Sequence, residues 1–116
     1  MSIERIGVGA RMSQAVIHGD TIYCAGAVAD KMAGASVAEQ TREILSILDG
    51  VLANAGSHKS KILSATIWLT DIETFAEMNS VWDAWVAPGH TPARATVQAK
   101  LAAPRYHVEI ACIAAK

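Results

Sequence analysis

Ile62-Leu63-Ser64-Ala65-Thr66-Ile67-Trp68-Leu69, followed at once by Thr70-Asp71-Ile72-Glu73, is the stretch that decides the fold. The first eight residues are apolar on both faces apart from Ser64 and Thr66, the signature of a central strand. The next four read as the cap of a helix, a hydroxyl followed three positions later by a carboxylate.

Upstream, Ser36-Val37-Ala38-Glu39 repeats that capping box ahead of a longer helix. Val37, Ile44, Leu45, Leu48, Val51 and Leu52 recur at helical spacing, and Gly56 supplies the stop. Gly50 inside this helix costs about 1 kcal/mol relative to Ala, which close packing on a sheet would justify. Before it, Ala15–His18 and Thr21–Ala25 form a hairpin through Gly19-Asp20. Gly26 follows, where a backbone often approaches something closely. Ile3 to Val8 is a weakly patterned first strand.

Downstream, Phe75, Met78, Val81, Trp82 and Trp85 mark the buried face of a second helix, ended by Pro88-Gly89. From Thr91 to Lys100 the residues alternate, with Ala93, Ala95, Val97 and Ala99 on one face and Arg94, Thr96, Gln98 and Lys100 on the other. A last strand runs from Tyr106 to Ala114. The order β-β-β-α-β-α-β-β predicts an α+β fold, a single mixed sheet of about six strands with both helices packed on one face. The other face then needs cover, for which a second subunit is the natural candidate.

A length of 116 residues predicts one domain, 1–116. Apolar residues make up 52% of the chain, more than a small soluble domain needs, which again points to a buried interface. The net charge of −1 and the absence of a Lys/Arg cluster argue against nucleic acid and anionic membrane as partners. No apolar run reaches the roughly 18 residues of a membrane span. Met1-Ser2-Ile3-Glu4-Arg5 lacks the layout of a secretion signal, so a cytoplasmic location is expected. Cys24 and Cys112 fall inside strands and read as small buried thiols, without a disulfide framework.

His18, His58, His90 and His107 lack the paired spacing of a metal site. Gly7-Val8-Gly9 lacks the strand and helix that flank a phosphate loop, and no G-x-S-x-G elbow is present. Arg94 is the best anion anchor, since a guanidinium matches a carboxylate or phosphate with two parallel hydrogen bonds. The competing reading is a solvated surface arginine. Asn79 sits mid-helix at the edge of the apolar face, where a side-chain hydrogen bond or plain exposure would account for it.

Five segments together carry a family resemblance: Ser13-Gln14-Ala15-Val16, Gly26 after its strand, Leu69 through Asn79, Pro92-Ala93-Arg94, and Val108-Glu109-Ile110. In this order the chain resembles the RidA/YjgF/YER057c/UK114 family of reactive enamine/imine deaminases. The run Asn79-Ser80-Val81-Trp82-Asp83-Ala84-Trp85-Val86 is similar to the YoaB-like branch. The resemblance implies a chorismate-mutase-like homotrimer with ligand clefts between subunits and no cofactor. It implies that Arg94 holds the carboxylate of a 2-imino acid while water attacks the C=N carbon, releasing ammonia and a 2-keto acid. Gly26, Asn79, Trp82 and Thr96 then line or shape the cleft.

The chain also departs from that pattern. Ala111 is read at the position of the family's strand glutamate, Met12 at its pocket tyrosine, Thr96 at its cysteine and Ala25 at the serine before the glycine. Glu109, Tyr106 and His107 are nearby groups that could substitute for the glutamate. The alternative function is a non-catalytic trimer that binds small 2-keto or 2-imino carboxylates and modulates metabolism or a partner enzyme.

Overall fold

A computed structural model describes residues 1–116. Its strands are β1 (Ile3–Ile6), β2 (Ala15–His18), β3 (Thr21–Ala27), β4 (Ile62–Leu69), β5 (Ala93–Gln98) and β6 (Val108–Ala115). Its helices are α1 (Val37–Asn54) and α2 (Phe75–Trp85). The element order is the one read from the sequence. All six strands join one mixed sheet in the order β1-β2-β3-β6-β4-β5, in which β4–β5 is the parallel pair. β4 is flanked on both sides, as its two apolar faces require.

Both helices cover one face. Ser36 caps α1 by accepting from the Glu39 N–H at 3.2 Å, and its hydroxyl donates to the Glu39 carboxylate at 3.1 Å. All six stripe residues of α1 are buried, against Ile22, Cys24, Ile110 and Cys112 among others. Two polar residues are buried with them. Thr41 donates to the Val37 carbonyl at 2.6 Å. Gln40 donates to the Arg105 carbonyl at 3.0 Å and accepts from the His107 N–H at 2.9 Å, clamping the β5–β6 loop to the helix. Neither end of this amide could be lost without orphaning a backbone group.

Three local expectations need correction. The second helix does not start from a Thr70–Glu73 box: Asp71 accepts from the Glu73 N–H at 2.9 Å and opens a 3-10 turn, Ile72–Thr74, with α2 beginning at Phe75. An Asp carboxylate accepts from the N–H two residues on more strongly than a Ser or Thr hydroxyl does, which favours Asp71 over Thr70. Phe75 is 41% exposed rather than part of the buried face, which consists of Met78, Val81 and Trp82. Gly50 is exposed and a Cβ there would meet nothing within 4 Å, so close packing is not its reason. Nothing in the structure explains this glycine.

The second sheet face is bare. Register aligns Tyr23 with Ile113, Ala111 with Thr66, and Glu109 with Trp68 and then Val97 across it. Tyr23 and Val97 remain 48% and 45% exposed.

Gly50→Ala should therefore stabilise the protein by about 0.5–1 kcal/mol, because helical backbone entropy is recovered without a clash. A shift of the urea midpoint to higher concentration checks this, and a shift to lower concentration would contradict it.

Candidate functional site

Arg94 leaves the sheet on the helix side, level with buried Ala65 of the neighbouring strand. The parallel β4–α2–β5 connection brings α2 back over it, so the guanidinium meets the helix instead of solvent. Its Nη1 donates to Asn79 Oδ1 at 2.8 Å. Its carbon lies 5.2 Å from the centroid of the Trp82 ring and 5.6 Å from that of Phe75. All three partners are neutral. They orient the cation by a hydrogen bond and two ring faces, leaving its charge uncompensated. The mid-helix Asn79 is explained by the same bond.

Thr96 follows Arg94 on the same face of β5, level with Ile67. Its Oγ1 is buried and makes no hydrogen bond, the one such side-chain atom in the molecule. A buried hydroxyl without a partner is uncommon enough to need a reason. Beside a guanidinium with no carboxylate partner, an oxygen-rich ligand would supply one. Gln98, the next residue of the row, is already engaged, accepting from the Ile72 N–H at 2.9 Å. Trp82 itself is buried, with its ring 5.4 Å from that of Trp85, and serves as a floor under Arg94.

The remaining candidates lie elsewhere. Gly26 sits in the irregular stretch of β3 between Cys24 and Ala27. A Cβ there would collide with Glu109 Oε2 and lie 3.0 Å from its Cδ, so the missing side chain makes room for a carboxylate. Ala111, next on that face of β6, offers only a methyl group and borders a depression of about 170 Å³ with Tyr23, Ser64 and Thr66. Of the three groups proposed to replace a glutamate, Tyr106 is taken, its hydroxyl donating to Asp30. His107 is half-buried in the clamped loop. Glu109 makes no hydrogen bond within the chain and keeps its carboxylate over Gly26. Met12 is 56% exposed at the mouth of a groove of about 360 Å³ that Gly26 also lines.

Arg94, Asn79, Trp82 and Thr96 therefore form one cluster, and Gly26, Met12, Ala111 and Glu109 gather around β3 and β6. Three strand spacings, about 14 Å, separate β3 from β5, and Arg94 and Glu109 leave opposite faces of the sheet. No small ligand can touch both clusters of one chain. Sequence reasoning missed the Glu109–Gly26 contact, although a glycine in a strand beside an alternating Glu was a usable signal. It also missed Phe75 as a ring over the guanidinium.

The family model described as Endoribonuclease L-PSP matches residues 2–116. The chain is 50% identical over 115 residues to the RutC family protein YoaB of Escherichia coli K12, covering 99% of each. It is 46% identical over 114 residues to a RutC family protein of Haemophilus influenzae, covering 98% of each. Among solved structures, NMB1025 of Neisseria meningitidis, a member of the YjgF protein family, superposes with a TM-score of 0.97 at 46% identity, covering 100% of this chain and 96% of the other.

Replacing Thr96 by Val removes the orphaned hydroxyl at nearly constant volume. We expect the urea midpoint to rise by an amount equivalent to about 1–3 kcal/mol, together with weaker binding of small carboxylates by calorimetry. A destabilised Thr96→Val protein would mean that the hydroxyl has a structural partner.

Proposed function

The chain belongs to the endoribonuclease L-PSP family, the RidA/YjgF group, and from that membership we propose that it hydrolyses reactive 2-imino acids. The observation that carries this reading is the Arg94 guanidinium, fixed by neutral partners and left with its charge free. A 2-imino acid presents a carboxylate beside an electrophilic C=N carbon. The carboxylate takes the free edge of Arg94 through two parallel hydrogen bonds, and Thr96 Oγ1 donates the third. The aromatic floor excludes water from the charged end, which strengthens each of these bonds.

Glu109 is the water-positioning group of the proposal. It accepts a proton from the attacking water as the C–O bond forms and returns it to the imine nitrogen, giving a carbinolamine. Collapse of that intermediate breaks the C–N bond as the hydroxyl proton passes to nitrogen, expelling ammonia and leaving the 2-keto acid. Because Glu109 and Arg94 of one chain face apart, the complete site takes them from adjacent copies. The bare sheet face with Tyr23 and Val97 is the surface those copies bury in a homotrimer. Ala111 stands in the interface as a spacer, without a chemical role. The reaction as written uses no cofactor.

Imines generated in place by an amino-acid oxidase with catalase, in competition with a semicarbazide trap, test the activity. Wild type should lower the trapped product from 2-iminopropionate and 2-iminobutyrate, and Arg94→Ala should not. Glu109→Gln should lose about 10²–10⁴-fold, the usual contribution of a general base, while keeping carboxylate affinity. Gly26→Ala should lose activity in parallel, since its methyl displaces the same carboxylate. Equal trapping with and without wild type, in a protein that still binds 2-keto carboxylates through Arg94, would instead establish the non-catalytic binder. Light scattering at three times 12.2 kDa checks the assembly.

A further inference from the structure

β3 and β6 set Cys24 and Cys112 directly opposite each other. Both thiols point toward α1 and are buried, at 8% and 3% exposure. Lys116 N–H donates to Asp20 O at 2.8 Å an even number of register steps away, so the two cysteines occupy a hydrogen-bonded pair of the ladder. Facing Cα atoms at such positions lie about 5.5 Å apart, within the commonest range for disulfides. Both sulfurs are free.

The two thiols are not equivalent. Cys24 lines the groove of about 360 Å³ that opens past Met12 and Gln14, with Ile47, Leu48 and Val51 of α1 on its far wall. Cys112 does not reach that groove. A hydrogen bond from Cys112 holds the Cys24 thiol below its usual range, while the same contact and burial push Cys112 up. The member of the pair that lines the groove is thus the better thiolate, and its neighbour keeps its proton.

We propose that Cys24 and Cys112 are a redox-active dithiol that small hydroperoxides convert to a reversible intrachain disulfide. The Cys24 thiolate attacks the terminal peroxide oxygen, the O–O bond breaks, and the alkoxide leaves with a proton as the alcohol. Cys24 is then a sulfenic acid. The Cys112 sulfur attacks the Cys24 sulfur, the S–O bond breaks, and the hydroxide leaves with the Cys112 proton as water. Two thiols and one hydroperoxide give one disulfide, one alcohol and one water, a two-electron change. The bond forms beside the irregular stretch of β3 that carries Gly26, where the pairing is already interrupted. This inference rests on register and burial and is independent of the deaminase reading.

The test treats the native, fully reduced protein with hydrogen peroxide or cumene hydroperoxide, alkylates free thiols, and digests with trypsin. Cleavage after Arg11, Lys31 and Arg105 separates Met12–Lys31 from Tyr106–Lys116, each holding one cysteine. The expected product is a linked pair of these peptides, with about 2 Da lost from the intact chain and full reversal by dithiothreitol. In Cys112→Ser the reaction should stop at a Cys24 sulfenic acid that dimedone traps, and Cys24→Ser should resist oxidation at Cys112. The proposal is overturned if both peptides remain alkylated, if links form only between chains or only after unfolding, or if wild-type Cys24 passes to the sulfinic acid without a link.

Discussion

Two parallel strands can be joined only by a crossover, and that constraint organises the molecule around β4, α2 and β5. The strands pair side by side, so the chain between them must leave the sheet plane, and the right-handed return lays α2 over the edge. α1, entering from β3, packs on the same side. Both helices therefore lie over one face of the sheet and leave the other open. The same crossover suspends Asn79, Phe75 and Trp82 above Arg94. The Arg94 cluster and the bare face are two products of one connection.

The roof gives Arg94 an unusual environment. Buried cations are ordinarily paired with a carboxylate, because unpaired burial is costly. Here a half-buried guanidinium meets no carboxylate, only an amide oxygen and two ring faces, each worth about 1 kcal/mol or somewhat more. Such partners restrain the guanidinium plane yet do not compete with an incoming anion as a carboxylate would. Thr96 extends the pattern, a donor with nothing to donate to. A surface built this way is preorganised at some expense of stability, the usual relation between sites and the folds that carry them.

The architecture was largely legible in the sequence. The doubly apolar Ile62–Leu69, the Ser36 cap and the Val37–Leu52 stripe each have one physical reading, and the structure shows each element there. Boundaries were less legible where two caps compete, as with Thr70 and Asp71. The alternation of β5 was read correctly, but its meaning was not fixed by it. A polar row ordinarily faces water, whereas Arg94, Thr96 and Gln98 face the helix layer, because only the crossover decides which side α2 occupies. The contacts of Glu109 with Gly26 and of Cys24 with Cys112 depend on the register between β3 and β6, two segments far apart in the chain. No local pattern encodes a register of that kind.

The place of β6 in the sheet also bears on how the molecule is made. Val108–Ala115 is synthesised after the other five strands, yet it lies between β3 and β4 and supplies hydrogen bonds to both. Without it, a β1–β2–β3 meander and a β4–α2–β5 unit would have facing edges with no partner. Those open edges are the surfaces most prone to mispairing. A single insertion of β6 closes both edges together.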